Sequence, residues 1–361
     1  MKKMFLSMAA LAMMFTSCEK DQTTTQEQAI DQEVDMSDFY LYTEDVSTSN
    51  RGNEGKTCHS MTVLNRQLDE DPGLWQKMYN AELHARKFMA THKPKGGNGG
   101  GNGNGGGGNG GDGGGDPVDD GLGVINIPVV VHVIYSNSNE NISDAQINSQ
   151  IAVLNKDFNA TNSDVNQVPA EFAGRVADSD INFTLSQVIR VSSTRTSWGT
   201  NDAMKSSANG GSDVVSPDTH LNIWVCNIGG GILGYAQFPG GAAATDGVVV
   251  SPQYFGTTGF VQAPFDGGRT TTHEVGHYLN LRHIWGDGRC RQDDFVADTP
   301  SSDRPNYGCP SYPTAHCRSN DMTMNYMDYV DDACMYMFSE GQKTRMRALF
   351  APGGTRDGFV N

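Results

Sequence analysis

The chain has 361 residues, enough for two domains or for one large domain with appendages. Its formal charge of −16 argues against a nucleic-acid partner, because binding phosphates requires clustered Lys and Arg. Seven cysteines are too few for a dense disulfide scaffold at this length. The odd number leaves at least one thiol unpaired or modified.

The N-terminus is typical of an exported protein. Residues 1–17 combine two lysines with a short apolar run, which predicts a signal peptide rather than a membrane-spanning helix. The sequence Phe-Thr-Ser-Cys resembles a bacterial lipoprotein signal, in which Cys18 is lipidated, although Phe15 stands where Leu is usual. The alternative is an ordinary signal peptide cut nearby. We expect an outer-membrane or cell-surface lipoprotein, or a protein secreted after processing, with the lipid as its only membrane contact.

Changes in composition divide the rest of the chain. Residues 18–55 are polar and predict a lipid-anchored tether. Residues 56–95 carry two short apolar stripes with helical spacing, which are too small to fold alone and should dock on another surface. Residues 96–118 form a flexible linker, with 15 glycines among the 20 residues of 96–115. A globular domain is expected over 119–361.

The globular part predicts an α+β fold. Helices are expected over 142–159, with Ser143 as N-cap, and over 339–350. Five apolar or alternating segments predict strands at 127–135, 181–191, 221–228, 233–239 and 247–252. This order of elements indicates a mixed sheet with helices packed on it.

The segment HEVGHYLNLRH predicts a metal site. His273 and His277 are four residues apart, so on a helix their imidazoles share one face and can bind one metal ion. His283 joins them only if the helix stops and the chain turns back. Asn280 is the expected turn, because Asn tolerates the left-handed conformation better than any residue except Gly.

Three histidines leave the fourth position of a tetrahedral zinc open for water, which is the catalytic arrangement. Glu274 lies beside them and can take the proton of that water and pass it to the leaving amine. The alternative is a surface helix with histidines placed by chance.

Two motifs resemble the metzincin metallopeptidases. HEVGHYLNLRH resembles their signature HExxHxxGxxH, with Asn280 in the glycine position. MNYMDY at 324–329 resembles the Met-turn. The resemblance implies that Met327 lies under the zinc histidines and that Tyr329 holds the zinc or the oxyanion.

Most of residues 124–350 are similar to the bacterial branch of the pappalysin family of metzincins. The resemblance implies a mixed, twisted five-stranded sheet with backing helices and a zinc helix at the cleft floor. It also implies an irregular, disulfide-linked C-terminal subdomain. LGYAQFP would be the cleft-side edge strand, with which a protein or peptide substrate pairs by β-augmentation. The implied activity is that of a zinc endopeptidase.

Four cysteines lie between residues 290 and 334, where the sequence shows no helical or strand periodicity, and three pairings are possible. A structural zinc site is the rival interpretation, but the spacings are wrong for paired CxxC motifs. The resemblance implies the pairs Cys290–Cys317 and Cys309–Cys334. Cys226, in an apolar strand, is expected to be a buried free thiol.

The loop DDFVADTP supplies oxygen ligands that suit calcium. The resemblance implies a calcium site here, with Asp294 and Thr299 as the best matches and Asp298 as a further candidate. The alternative is a solvated acidic loop.

Cys58 stands alone ahead of the helical stripes, and a thiolate is a strong zinc ligand. Its segment resembles the propeptide cysteine of pappalysin-like zymogens, although Lys56 and His59 replace the usual Arg and Gly. The resemblance implies a latent enzyme inhibited by its own propeptide. The alternative is an unpaired surface thiol.

Asp332 follows the Met-turn and is expected in the pocket for the residue just after the scissile bond. The resemblance gives this aspartate the role of binding Lys or Arg, whereas the alternative makes it a surface charge. Two other functions stay open: a catalytically inactive lipoprotein of metzincin fold that binds peptides, and a non-peptidase zinc hydrolase.

Overall fold

The computed structural model describes residues 34–42, 58–92 and 119–360. Within these ranges, no helix has the length and apolar character needed to cross a bilayer.

A five-stranded sheet forms the centre of the C-terminal part. Its strands are β1 (Ile125–Tyr135), β2 (Ile181–Ser192), β3 (Leu221–Val225), β4 (Gly234–Ala236) and β5 (Val248–Val250). The order across the sheet is β2-β1-β3-β5-β4. All pairs are parallel except β4 with β5, so the predicted mixed sheet with β4 at its edge is confirmed.

Both faces of the sheet are covered, which explains the near-continuous apolar sequence of β1. Val129, Val131 and Val133 are fully buried in the main core. Ile134 lies in a second core with Trp224, on β3, and Tyr235, on β4. Fully burying a Val or Ile side chain stabilises the fold by about 1.5–3 kcal/mol.

Among the described residues, two α-helices lie in the N-terminal part, and three lie in the C-terminal part ahead of its irregular subdomain. In the N-terminal part these are α1 (Ser60–Glu70) and α2 (Leu74–Thr91). In the C-terminal part α3 (Asp144–Phe158) begins after Ser143, whose hydroxyl accepts a hydrogen bond from the Gln146 amide as the sequence predicts. After the short α4 (Ala170–Ala173), α5 (Arg269–Tyr278) packs on α3, β4 and β5, and each of its residues is buried.

The C-terminal subdomain is irregular, as predicted, and contains the two-residue strands β6 (Ala315–His316) and β7 (Ser319–Asn320) and the helix α6 (Glu340–Arg347). Disulfides join Cys290 to Cys317 and Cys309 to Cys334, the pairs that the resemblance implies. Cys226 is a buried free cysteine.

The N-terminal helices dock on the C-terminal part. Their apolar stripes form one buried cluster with Phe238, which follows β4; the cluster comprises Leu41, Met61, Leu64, Leu68, Leu74, Met78 and Phe238. Cys58, just before α1, pairs with Gly234 of β4 in a parallel bridge. Helix α1 therefore lies against the edge strand β4, and α2 packs on α6, so both predicted helices have a partner surface.

Residues 34–42 differ from the polar tether predicted over 18–55. The Tyr40 hydroxyl lies within hydrogen-bond distance of the carbonyl oxygens of Gly286 and Asp293, and Arg282 donates to the Tyr40 carbonyl at 2.7 Å. The Arg282 guanidinium also stacks 4.5 Å from the centre of the Tyr40 ring. These contacts join residues more than 240 positions apart in the chain, so the composition of the polar stretch does not predict them.

A buried ion pair fastens α2 to α6. Both terminal nitrogens of Arg345 donate to the Glu82 carboxylate, at 3.1 and 2.5 Å. Burial alone would raise the pKa of Glu82, but Arg345 and then Arg86 outweigh it and lower the pKa to about 2. Because this pKa is below its unfolded value, the pair stabilises docking above about pH 4.5, and the contribution is lost as the pH falls towards 2.

Candidate active site

The structure brings the three predicted histidines together. The Nε2 atoms of His273 and His277 are 3.2 Å apart, and those of His277 and His283 are 3.1 Å apart. Tetrahedral ligands about 2.05 Å from one zinc ion would be separated by about 3.3 Å. The three nitrogens therefore converge on a space of the size that a zinc ion requires.

The other ring nitrogen of each histidine fixes its tautomer. Nδ1 of His273 lies 2.7 Å from the Tyr326 carbonyl oxygen, and Nδ1 of His277 lies 2.8 Å from that of Leu281. Nδ1 of His283 contacts the Asp287 carboxylate. Since these partners only accept hydrogen bonds, each Nδ1 carries the proton and each Nε2 directs a lone pair inward, as metal-binding histidines do.

The turn that returns His283 lies where the sequence predicts it. Helix α5 ends at Tyr278, and Asn280 has φ of 70°, in the left-handed region. The Leu281 amide then donates back to the Gly276 carbonyl at 2.9 Å, which closes the helix end. Arg345 donates to the Asn280 carbonyl at 2.8 Å, so the residue that pairs with Glu82 also holds this turn.

Met327 lies directly below the histidine helix and is fully buried. A Cβ atom added to Gly276 would lie 2.4 Å from the Met327 sulfur, so only glycine allows this approach. The Met-turn motif predicts that Met327 lies under the histidines, but it does not predict that this approach requires glycine at position 276.

Gly276→Ala is therefore expected to lower the free energy of unfolding by about 1–3 kcal/mol through overpacking, despite the better helix propensity of alanine. Denaturant unfolding followed by circular dichroism measures this. The matched control is Gly199→Ala, where the nearest atom to the new Cβ is 3.8 Å away and little change is expected. Equal stability of the two variants would contradict the packing argument.

Cys58 lies at the same centre. Its sulfur and the three histidine Nε2 positions all lie within 4.8 Å of one another, and all four residues are buried. Burial, followed by the charge of Glu274, raises the pKa of the Cys58 thiol well above its usual value. A thiolate here therefore requires a cation, and three imidazole nitrogens with one sulfur are ligands that fit zinc.

Glu274 is fully buried beside this cluster. Its Oε2 accepts a hydrogen bond from the Ser60 hydroxyl at 2.8 Å and contacts the Cys58 sulfur at 3.3 Å. The Ser60 hydroxyl also accepts from the Ala236 amide of β4 at 2.8 Å. Ser60 thus bridges the carboxylate and the edge strand, a role for which its sequence gives no signal.

Tyr329 borders the cluster, with its ring 4.9 Å from that of His283. Its hydroxyl donates to the Cys58 carbonyl oxygen at 3.3 Å. Burial raises the pKa of Tyr329 well above its usual value, so the phenol stays protonated and remains a hydrogen-bond donor.

Asp332 is buried at the N-terminal end of α5. Its Oδ2 accepts from the backbone amides of Gly267 at 2.9 Å and Arg269 at 3.1 Å. One carboxylate oxygen thus holds the start of the histidine helix, a structural task that the sequence did not predict.

The predicted calcium ligands separate into two places. The Thr299 hydroxyl lies 2.9 and 2.8 Å from the two oxygens of the buried Asp294 carboxylate. Asp298 is directed elsewhere, because its carboxylate accepts from the Ser339 hydroxyl and the Gly341 amide at the start of α6. The expectation that Asp298 joins the other two is therefore not met in this structure.

Comparisons with known proteins agree with this geometry. Residues 214–351 match the Peptidase_M43 family, described as pregnancy-associated plasma protein-A. Extracellular metalloprotease 1 of Coccidioides posadasii is 34% identical over 238 residues, which are 63% of this chain and 77% of that relative. The chain belongs to the pappalysin family of metzincin metallopeptidases. It is accordingly a metallopeptidase, and the histidine cluster is the metal centre that its family implies.

The chain is also similar to solved pappalysin-type structures. Mature mirolysin of Tannerella forsythia in complex with a cleaved peptide has a TM-score of 0.64 and 47% identity, covering 65% of this chain and 95% of that one. A promirolysin mutant from the same organism has a TM-score of 0.71 and 38% identity, covering 84% of this chain and 97% of that one. The chain thus has a relative that is made as a precursor.

Proposed function

We propose that this chain is an exported zinc endopeptidase, made as a latent precursor, in which His273, His277 and His283 bind the metal. The convergence of their three Nε2 atoms beside Glu274 carries the proposal. Peptide hydrolysis by the mature enzyme should be abolished by a zinc chelator and restored by added zinc. Full activity of metal-free protein would refute the assignment.

Each residue at the centre has a separate task in this proposal. Zinc, when bound, lowers the pKa of water and polarises the substrate carbonyl. Glu274 takes the proton of the attacking water and delivers it to the leaving nitrogen. Tyr329 donates a hydrogen bond to the oxygen that gains negative charge, and the backbone of β4 pairs with the substrate.

Latency comes from residues 56–95 acting as a propeptide, joined by the linker 96–118 to a catalytic domain over 119–361. Cys58 would supply the sulfur ligand at the fourth position of the metal, and the Ser60 hydroxyl donates a hydrogen bond to the Glu274 carboxylate. The larger share of this chain covered by promirolysin, 84% against 65% for the mature form, supports this division. N-terminal sequencing of the mature enzyme tests it, since the cut should fall near or within 87–116.

Specificity for Lys or Arg just after the scissile bond is proposed to come from Asp332. Asp332→Asn keeps an oxygen for the Gly267 and Arg269 amides but removes the charge. It should lower kcat/KM for substrates with Lys or Arg at that position by about tenfold or more, with a smaller effect on apolar ones. Cleavage profiles of both enzymes on one peptide library measure this. A wild-type profile without basic preference there would remove Asp332 from this role.

A calcium ion is proposed at Asp294 and Thr299. Burial, followed by the charge of Asp293, raises the pKa of Asp294 well above its usual value, and a bound cation would offset this unfavourable charge. The two oxygens of the Asp294 carboxylate and the Thr299 hydroxyl are oxygen ligands of the type that calcium prefers. A melting temperature unchanged by calcium or its chelator would argue against the site.

Export and anchoring are proposed from the N-terminus, where residues 1–17 and Cys18 lie outside the described ranges. Several relatives are named extracellular metalloproteases, which supports export. Cys18→Ser should release the protein from the membrane fraction. A wild-type protein absent from that fraction would end the lipoprotein interpretation.

A further inference from the structure

Asp202 lies beside the edge strand, in the connection between β2 and β3. One oxygen of its carboxylate is held by the C-terminal part of the molecule: Oδ1 lies 2.8 Å from the Lys205 ammonium and accepts from the Tyr235 hydroxyl at 3.1 Å. The Asp202 backbone is left-handed, with φ of 60°, and the residue is buried. These contacts fix the carboxylate in one orientation.

The second oxygen faces the propeptide. Oδ2 accepts from the Arg66 guanidinium at 2.5 Å, and the Gln67 side-chain amide lies 3.5 Å away. Gln67 also donates to Gln237, next to β4, at 3.1 Å. Both donors to Oδ2 belong to α1, so both leave when the propeptide is removed, whereas Lys205 and Tyr235 stay.

We propose that, in the mature enzyme, Asp202 binds the side chain of a substrate Arg or Lys in place of Arg66. The inference rests on the proposed removal of the propeptide and on substrate pairing with β4. It adds a second basic subsite, separate from that assigned to Asp332. The pre-oriented carboxylate and the polar Gln237 beside it suit a guanidinium group in particular.

The helix geometry gives the distance of this subsite from the scissile bond. Arg66 is six residues beyond Ser60, which contacts Glu274, so the two are about 9 Å apart along α1. An extended peptide rises about 3.3 Å per residue. The basic residue should therefore lie about two to four positions from the scissile bond.

Library profiling of mature wild type, Asp202→Asn and Asp218→Asn tests the inference; Asp218 is an exposed aspartate in the same connection. Wild type and Asp218→Asn should favour Arg or Lys at one of the positions that lie about two to four residues from the scissile bond. Asp202→Asn should lose that preference, with KM for the Arg peptide rising about fivefold and no change for a matched Gln peptide. Preference just after the scissile bond should be the same in all three.

A wild-type profile without basic preference at any of these positions would overturn the inference, and this result needs no variant. Equal profiles of wild type and Asp202→Asn would also overturn it, because Asp202 would then serve only to anchor the propeptide. If Asp202→Asn does not fold, Asp202→Asn with Lys205→Met removes both partners of the buried pair and takes its place. An enzyme that cleaves no peptide would refute the proposed function together with the inference.

Discussion

Replacing Glu274 with alanine is expected to lower kcat for peptide hydrolysis by about 10²–10⁴-fold, the usual contribution of a positioned general base. The mature enzyme should retain the metal, because its ligand nitrogens belong to His273, His277 and His283 and none of the clustered ligand atoms belongs to Glu274. Activity and zinc content are measured on the same mature preparation. The loss should appear in kcat and kcat/KM alike.

Glu171→Ala is the matched control for this variant. Glu171 is exposed and accepts hydrogen bonds from Tyr312 and Asn320, so its loss should leave turnover unchanged. A Glu274→Ala enzyme that keeps more than about a tenth of wild-type kcat would contradict the general-base role. Loss of zinc from the variant would instead show that Glu274 organises the metal site.

Cys58→Ala should give a precursor with measurable peptidase activity, at least about tenfold above that of the wild-type precursor, or one that matures faster. A factor of ten corresponds to 1.4 kcal/mol, less than we expect a metal–sulfur contact to contribute. Some inhibition should persist, since Ser60 would still contact Glu274 and α1 would still cover β4. Initial rates are measured while gels show that the precursor is uncut.

Cys226→Ala is the matched control, because Cys226 is also a buried free cysteine but lies in the second core with Trp224 and Tyr235. Its precursor should stay silent. If the Cys58→Ala and Cys226→Ala precursors were equally inactive, the Cys58 sulfur would not be the group that inhibits the precursor. The burial of α1 over the cleft would then be the remaining explanation.

Local patterns in the sequence predicted the parts of the site that depend on neighbouring residues. The four-residue spacing of His273 and His277 specifies one helix face, and Asn280 supplies the left-handed turn that returns His283. The five strands of the sheet were likewise predicted from short apolar or alternating segments. These predictions succeed because a few adjacent residues decide the backbone conformation.

Contacts between distant parts of the chain were beyond such patterns. Glu82 and Arg345 are 263 positions apart, and neither residue marks its partner in the sequence. Asp287, which orients His283, lies in an irregular segment without periodicity. The contact of Ser60 with Glu274 depends on how α1 docks. Each of these follows from tertiary packing, which single-sequence patterns do not encode.

We propose that one zinc ion is held by three histidines and, in the precursor, by Cys58. Zinc K-edge X-ray absorption of the purified precursor tests this coordination. Three nitrogen ligands at about 2.0 Å and one sulfur at about 2.3 Å are expected. The Cys58→Ala precursor should lose the sulfur alone. A wild-type precursor without zinc, or one whose zinc has no sulfur ligand, would contradict this coordination.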